Sequence, residues 1–157
     1  FTGGIGKDSG YLTRLGIPEA HYLAVLSVEN FGVDREIVYL EPKATNGAEC
    51  CRFSLDKILG EKLSYDVLTL LIHPTSLRRI DSSMKNSVAR EKQIFNHTVF
   101  HRVGTNYRFN PSNPIDQKEA VAELLRLADW PAKGWAIEQN DLPQELVVYA
   151  REIKDIL

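Results

Sequence analysis

Hydrophobic and polar positions change rhythm twice along this chain. The first third reads as β. His21–Glu29 (HYLAVLSVE) and Arg35–Lys43 (REIVYLEPK) are rich in β-branched and aromatic residues, and Asn30-Phe31-Gly32-Val33-Asp34 between them has turn chemistry. Glu49–Leu55 follows Thr45-Asn46-Gly47 and reads as a third strand. Tyr11–Leu15 is a short strand candidate inside a Gly-rich start that ends at Pro18. The apolar run Ser64–Ile72 fits a strand or a short helix, because so short a run has no diagnostic period.

From Thr75 the rhythm becomes helical. Thr75 or Ser76 caps a helix to Asn96, with Leu77, Ile80, Met84, Val88, Glu91 and Phe95 on one stripe. Phe95–Phe109 is strand-like but is interrupted by Gly104 and Asn106, and Asn110–Pro114 is a loop. Two amphipathic helices end the chain. Asp116–Ala128 carries Val121, Leu124, Leu125 and Ala128 on one face. The last is capped by Asp141, has Pro143 in its first turn, and carries Leu146, Ala150, Ile153 and Leu157. Trp130, Pro131 and Trp135 form a packed connector between them. The expected fold is a single α+β domain over 1–157: an N-terminal antiparallel β-meander packed with a central basic helix and two C-terminal helices. Residues 1–72 are mainly β, 73–113 the basic helix and loop, and 114–157 helical.

Composition changes little in this picture. The 157 residues are 43% hydrophobic and 25% charged, ordinary for a soluble domain. No apolar run approaches the roughly 20 residues that span a bilayer. Cys50 and Cys51 are adjacent, which suits reduced thiols alternating across a strand, and the expected compartment is the cytoplasm. The start at Phe1, without Met or a secretory leader, leads us to expect the C-terminal fragment of a longer protein.

Charge distribution changes the picture more. Pro74–Asn113 holds seven Lys and Arg against Asp81 and Glu91, a net +5 in a chain whose total is −2. His73, His97 and His101 and four aromatics (Phe95, Phe100, Tyr107, Phe109) lie in or beside the same window. Basic side chains can replace the counterions of a nucleic acid, so this segment is a candidate phosphate-facing surface. Arg78, Arg79, Lys85 and Arg90 on the helix would track a backbone. His101, Arg102, Asn106 and Arg108 in the following segment would enter a groove or sit beside an exposed base. The competing reading is a solvated helix face.

Other chemistry is thinner. Glu41-Pro42-Lys43 matches the (D/E)xK half of a Mg²⁺-dependent nuclease motif, which needs a second carboxylate. On a strand, Asp34 would lie over about 20 Å from Glu41, and Ala24 would stand opposite it. His97 and His101 share a face either on a helix, where they could bind a metal, or on a strand, where they lie about 13 Å apart. No third ligand is evident. Thr2–Lys7 lacks the spacing of a phosphate-binding loop. Asp66 and His73 make a possible pair, with a packed histidine as the simpler outcome.

The order HYLAVLSVEN-FGVD-REIVYLEPKATNGAECCRFSLDKIL, then a helix with alternating Arg and Lys, then FHRVGTNYRFNPSNP, resembles the C-terminal domain of TnsE, the target-selection protein of a family of bacterial transposons. The similarity spans roughly residues 20–114. It implies a DNA-binding module, not an enzyme, that recognises DNA structure such as recessed ends and acts in DNA recombination with transposition or replication proteins. No cofactor or metal is implied. The residues carried over are Arg78, Arg79, Lys85, Arg90, His101, Arg102, Asn106 and Arg108. The alternatives are the nuclease built on Glu41 and Lys43, and a protein-interaction module whose basic face meets an acidic partner.

Overall fold

A computed structural model describes residues 1–6, 11–63, 67–90, 99–104 and 107–156, without the side chains of Tyr11 and of 99–104. The chain divides into two compact units, Phe1–Leu63 and Ser64–Leu157.

The first unit overturns the expected meander, because it is helical. It contains α1 (Tyr11–Leu15), α2 (Glu19–Phe31) and α3 (Gly47–Gly60), with a single 3₁₀ turn at Arg35–Ile37 between α2 and α3. The helix signals outweighed strand propensity, which is context-dependent. Pro18 and Glu19 open α2. Gly32, at φ 66°, closes it, with its N–H and that of Val33 returning to the Val28 and Ser27 carbonyls. Ala20 and Ala24, one turn apart, form its buried face. Thr45-Asn46-Gly47 is a helix start instead of a hairpin turn. The Asn46 side chain accepts from the Ala48 and Glu49 N–H groups, and Glu49 reaches back to the Thr45 N–H and hydroxyl. Those hydrogen bonds, the Thr45 backbone one foremost, hold the Glu49 carboxyl below its ordinary pKa. Cys50 and Cys51 therefore lie on a helix, with Cys51 in the core beside Ala48 and Leu55.

The glycine-rich start is a structural staple. The Gly3 and Gly4 carbonyls accept from the Ala20 and Glu19 N–H groups at the start of α2. On the other side, Gly3 N–H donates to Glu41 O and Gly4 N–H to Ala44 O. The approach is close: a Cβ on Gly4 would lie 2.6 Å from Pro42 O and 2.7 Å from Ala44 O.

The second unit holds β1 (Val67–Ile72), α4 (Leu77–Arg90), β2 (Val99–Gly104), α5 (Pro114–Asp129) and α6 (Gln144–Ile153). The ambiguous apolar run is thus a strand, with Leu68, Leu70 and Ile72 more buried than Val67, Thr69 and Leu71. β1 and β2 pair in parallel, from Val67 with Val99 to Ile72 with Gly104. Parallel partners need a crossover, and α4 lies within it. Asn113 caps α5 through Ile115 N–H, with Pro114 at its first position. Leu127, Leu142 and Val147 form a buried cluster, with Leu124, Leu125 and Ala128 packed on it. On α6 the buried positions are Val147 and Ala150, while Leu146 and Ile153 of the expected stripe are exposed. The described chain is mostly helical, with one two-stranded parallel sheet. None of its described helices is long and apolar enough to cross a membrane.

Candidate nucleic-acid interface

The central helix begins where the periodicity places it. A 3₁₀ turn at Pro74–Ser76 leads into α4, and the expected continuation over 91–96 lies outside the described residues. Its buried face differs from the apolar stripe. Met84 is buried, but so are Arg79, Ser82 and Ser83, whereas Leu77, Ile80 and Val88 are half-buried. The reason is what the helix packs against. Its polar side meets Glu123 of α5 and the backbone of the connector between α5 and α6.

This placement changes the meaning of the helix cations. Arg79 is 7% exposed, and its guanidinium donates to both Glu123 carboxylate oxygens, at 2.6 and 2.8 Å. It also lies 4.4 Å from the centre of the Trp130 ring. Burial pushes the Glu123 carboxyl up, but the Arg79 hydrogen bonds and charge, joined by Arg126, outweigh it and hold the carboxyl below its ordinary pKa. Arg79 is thus a core cation, unavailable to a phosphate. Arg78 donates to Gln139 Oε1 at 3.0 Å and to the Asp141 carboxylate. Lys85 pairs with Asp81 one turn back, at 2.8 Å. Arg90 donates to Gly134 O at 2.9 Å, and Asn86 donates to the same oxygen at 2.8 Å. Arg78 and Lys85, seven apart, share one helix side; Arg79 and Arg90, eleven apart, share another.

The following segment keeps an open cation. His101 and Arg102 lie in β2, with backbones paired to Thr69 and Leu70; their side chains, and all of Asn106, lie outside the described residues. Tyr107, Arg108 and Phe109 are exposed, Tyr107 at 38% and Phe109 at 47%. Among the described residues no acid lies within ion-pair distance of Arg108. Tyr107 is fixed from two sides. Its ring centre is 4.5 Å from that of His73, and its hydroxyl bonds to Asp116. That bond first, and the Asn110 N–H at 2.7 Å second, hold the Asp116 carboxyl low, and the Tyr107 phenol is raised by the same bond. His73 in turn holds Thr75 through Nδ1 at 2.8 Å. His73 follows the last residue of β1, and Tyr107 comes three residues after the end of β2. The cluster thus sits at the carboxyl ends of parallel strands, where open sheets place ligands. No sequence signal singled out Glu123 or Asp116, since each reads locally as a surface acid. Asp141, expected to cap the last helix, accepts from Arg78 instead, and α6 begins behind Pro143 with no side-chain cap.

Glu41 is 6% exposed and is committed to local structure. Its carboxylate accepts from the Thr2 hydroxyl at 2.7 Å and from the N–H groups of Lys43 and Ala44, at 2.7 and 3.1 Å. Lys43 is exposed, and Asp34 caps the 3₁₀ turn through Glu36 N–H. His97 and Asp66 lie outside the described residues. Among the described residues, no three of His, Cys, Asp and Glu are grouped to hold a metal ion. No protein-family profile matches the chain, and no curated protein sequence matches it.

Proposed function

We propose that this chain is a DNA-binding module whose contact surface is the carboxyl end of the parallel strand pair, with Arg108 as its principal phosphate ligand. The observation that carries the reading is the exposed Tyr107-Arg108-Phe109 run, a cation without an acid partner among the described residues, flanked by two aromatic rings. Arg108 supplies charge to a phosphate, and the rings offer faces to unpaired bases, each stack contributing about 1–3 kcal/mol. Such a surface suits an end or junction, where bases are accessible. The role in transposon target selection, with transposition or replication proteins as partners, follows from the resemblance to TnsE-type proteins. Within residues 20–114, the expected hairpin is replaced in this chain by α2 and a 3₁₀ turn.

Fluorescence anisotropy with a labelled duplex bearing a recessed end tests the reading. Binding should weaken steeply with salt, and Arg108→Ala should reduce the salt slope by about one. Equal affinity of wild type and Arg108→Ala across the salt range would overturn it. Preference for the recessed end over an acidic polymer separates recognition of DNA from attraction to negative charge.

A protein-interaction module is the second reading. It is favoured by α6, where Leu146, Val148 and Tyr149 are 49%, 52% and 61% exposed. That face would take an apolar partner surface, whereas the helix cations expected to meet an acidic partner are largely engaged within the chain.

A further inference from the structure

Besides Glu123 of α5, the polar side of α4 meets one segment, the connector between Trp130 and Leu142. Trp130, Ala136 and Leu142 are its buried anchors. Between them it presents oxygen acceptors to the helix. Gly134 O receives Arg90 and Asn86, Ile137 O receives the Ser82 hydroxyl, and Gln139 Oε1 and the Asp141 carboxylate receive Arg78. The acceptors that hold the two arginines are a backbone carbonyl, an amide oxygen and a carboxylate. They offer the hydrogen-bond chemistry that a phosphodiester offers a guanidinium. They are also weakly committed, for the Asp141 side chain is 80% exposed and that of Arg78 is 43% exposed. Exposed ion pairs of this kind hold little free energy and are screened by salt.

We infer that the connector is an internal competitor for DNA: its Gln139–Asp141 end occupies Arg78, and its Gly134 carbonyl occupies Arg90, until a polyanion displaces them. This rests on the DNA-binding reading and adds a regulated second contact to the one at Arg108. Both arginines can exchange partners by side-chain rotation alone. The buried pair Arg79–Glu123 and the anchors Trp130, Ala136 and Leu142 stay in place. Bound DNA would therefore gain Arg78, whose charge Asp141 offsets in the resting chain, and Arg90, whose donors the Gly134 carbonyl occupies. Asp141 sets the threshold, because it is the one charged acceptor of the group.

A thermodynamic cycle on the full chain tests the competitor. Wild type, Asp141→Asn, Arg78→Ala and the double variant are titrated by anisotropy against the same recessed-end duplex over a range of salt. Asp141→Asn should bind about three- to tenfold tighter at low salt, with a salt slope steeper by nearly one. In the Arg78→Ala background the same substitution should change neither. An equal gain in both backgrounds would mean that removing any acid helps, and an absent gain would mean that Arg78 is not limiting; either result overturns the competitor. If no protein in the set binds at low salt, the DNA-binding reading itself falls with it. Wild-type binding that is indifferent to Asp141 removes the competitor alone. Since the Asp141 side chain is exposed, the substitution leaves the core intact.

Discussion

Arg79→Ala distinguishes a helix that presents its cations from one that buries them. In the structure Arg79 makes two hydrogen bonds to Glu123, and their side chains are 9% and 5% exposed. Removing the guanidinium leaves a carboxylate in a site that water barely reaches. Breaking one partner of a buried pair costs about 3–5 kcal/mol, and the lost contact with the Trp130 ring adds about 0.5–2 kcal/mol. Arg126, 2.8 Å from Glu123 Oε1, offsets part of this. A net loss of about 3 kcal/mol is therefore expected, a large share of the roughly 5–15 kcal/mol that holds a domain folded. Thermal unfolding followed by circular dichroism should show a fall of about 10 °C. The double variant Arg79→Met/Glu123→Leu should recover most of it, because it removes the stranded charge along with its partner. An unchanged melting temperature in Arg79→Ala, together with lost DNA affinity, would refute this reasoning and return Arg79 to the binding surface.

Acid should weaken the second unit through the same pair. The Glu123 carboxyl is held below its ordinary value of 4.5, so its contribution is fully present above that value and is lost as pH falls through the folded-state value. Urea midpoints measured down to about pH 3 should fall in wild type and fall less in Arg79→Met/Glu123→Leu; parallel curves would count against the pair. Gly4→Ala should cost the first unit about 1–3 kcal/mol, since the new methyl meets backbone oxygens that cannot rotate away, and an unchanged denaturant midpoint would contradict the close approach. Glu41→Ala should destabilise by about 2 kcal/mol through the unpaired Lys43 and Ala44 N–H groups, with Lys43→Ala neutral. Mg²⁺-dependent cleavage abolished by Lys43→Ala would instead revive a catalytic role for that motif.

The chain on its own determined the helices of its second half, because their signals are local. The apolar period runs through α5, although its opening Asn113-Pro114 reads as part of a loop, and Pro143 marks the start of α6. The helices of the first unit were also encoded locally, in Pro18, Gly32 and the Asn46–Glu49 pair, but aromatic and β-branched density obscured them. Asn-Gly serves a hairpin and a helix cap equally well, and only the acid three residues after Asn46 tells them apart. Charge was legible as a total and misleading as a surface. The +5 of Pro74–Asn113 counts acids within the segment. The partners that engage Arg78 and Arg79 come from Asp141 and Glu123, 63 and 44 residues away. Coulomb attraction acts through space and is indifferent to sequence distance. The tertiary structure alone therefore decided which cations face the protein and left Arg108, among them, facing out.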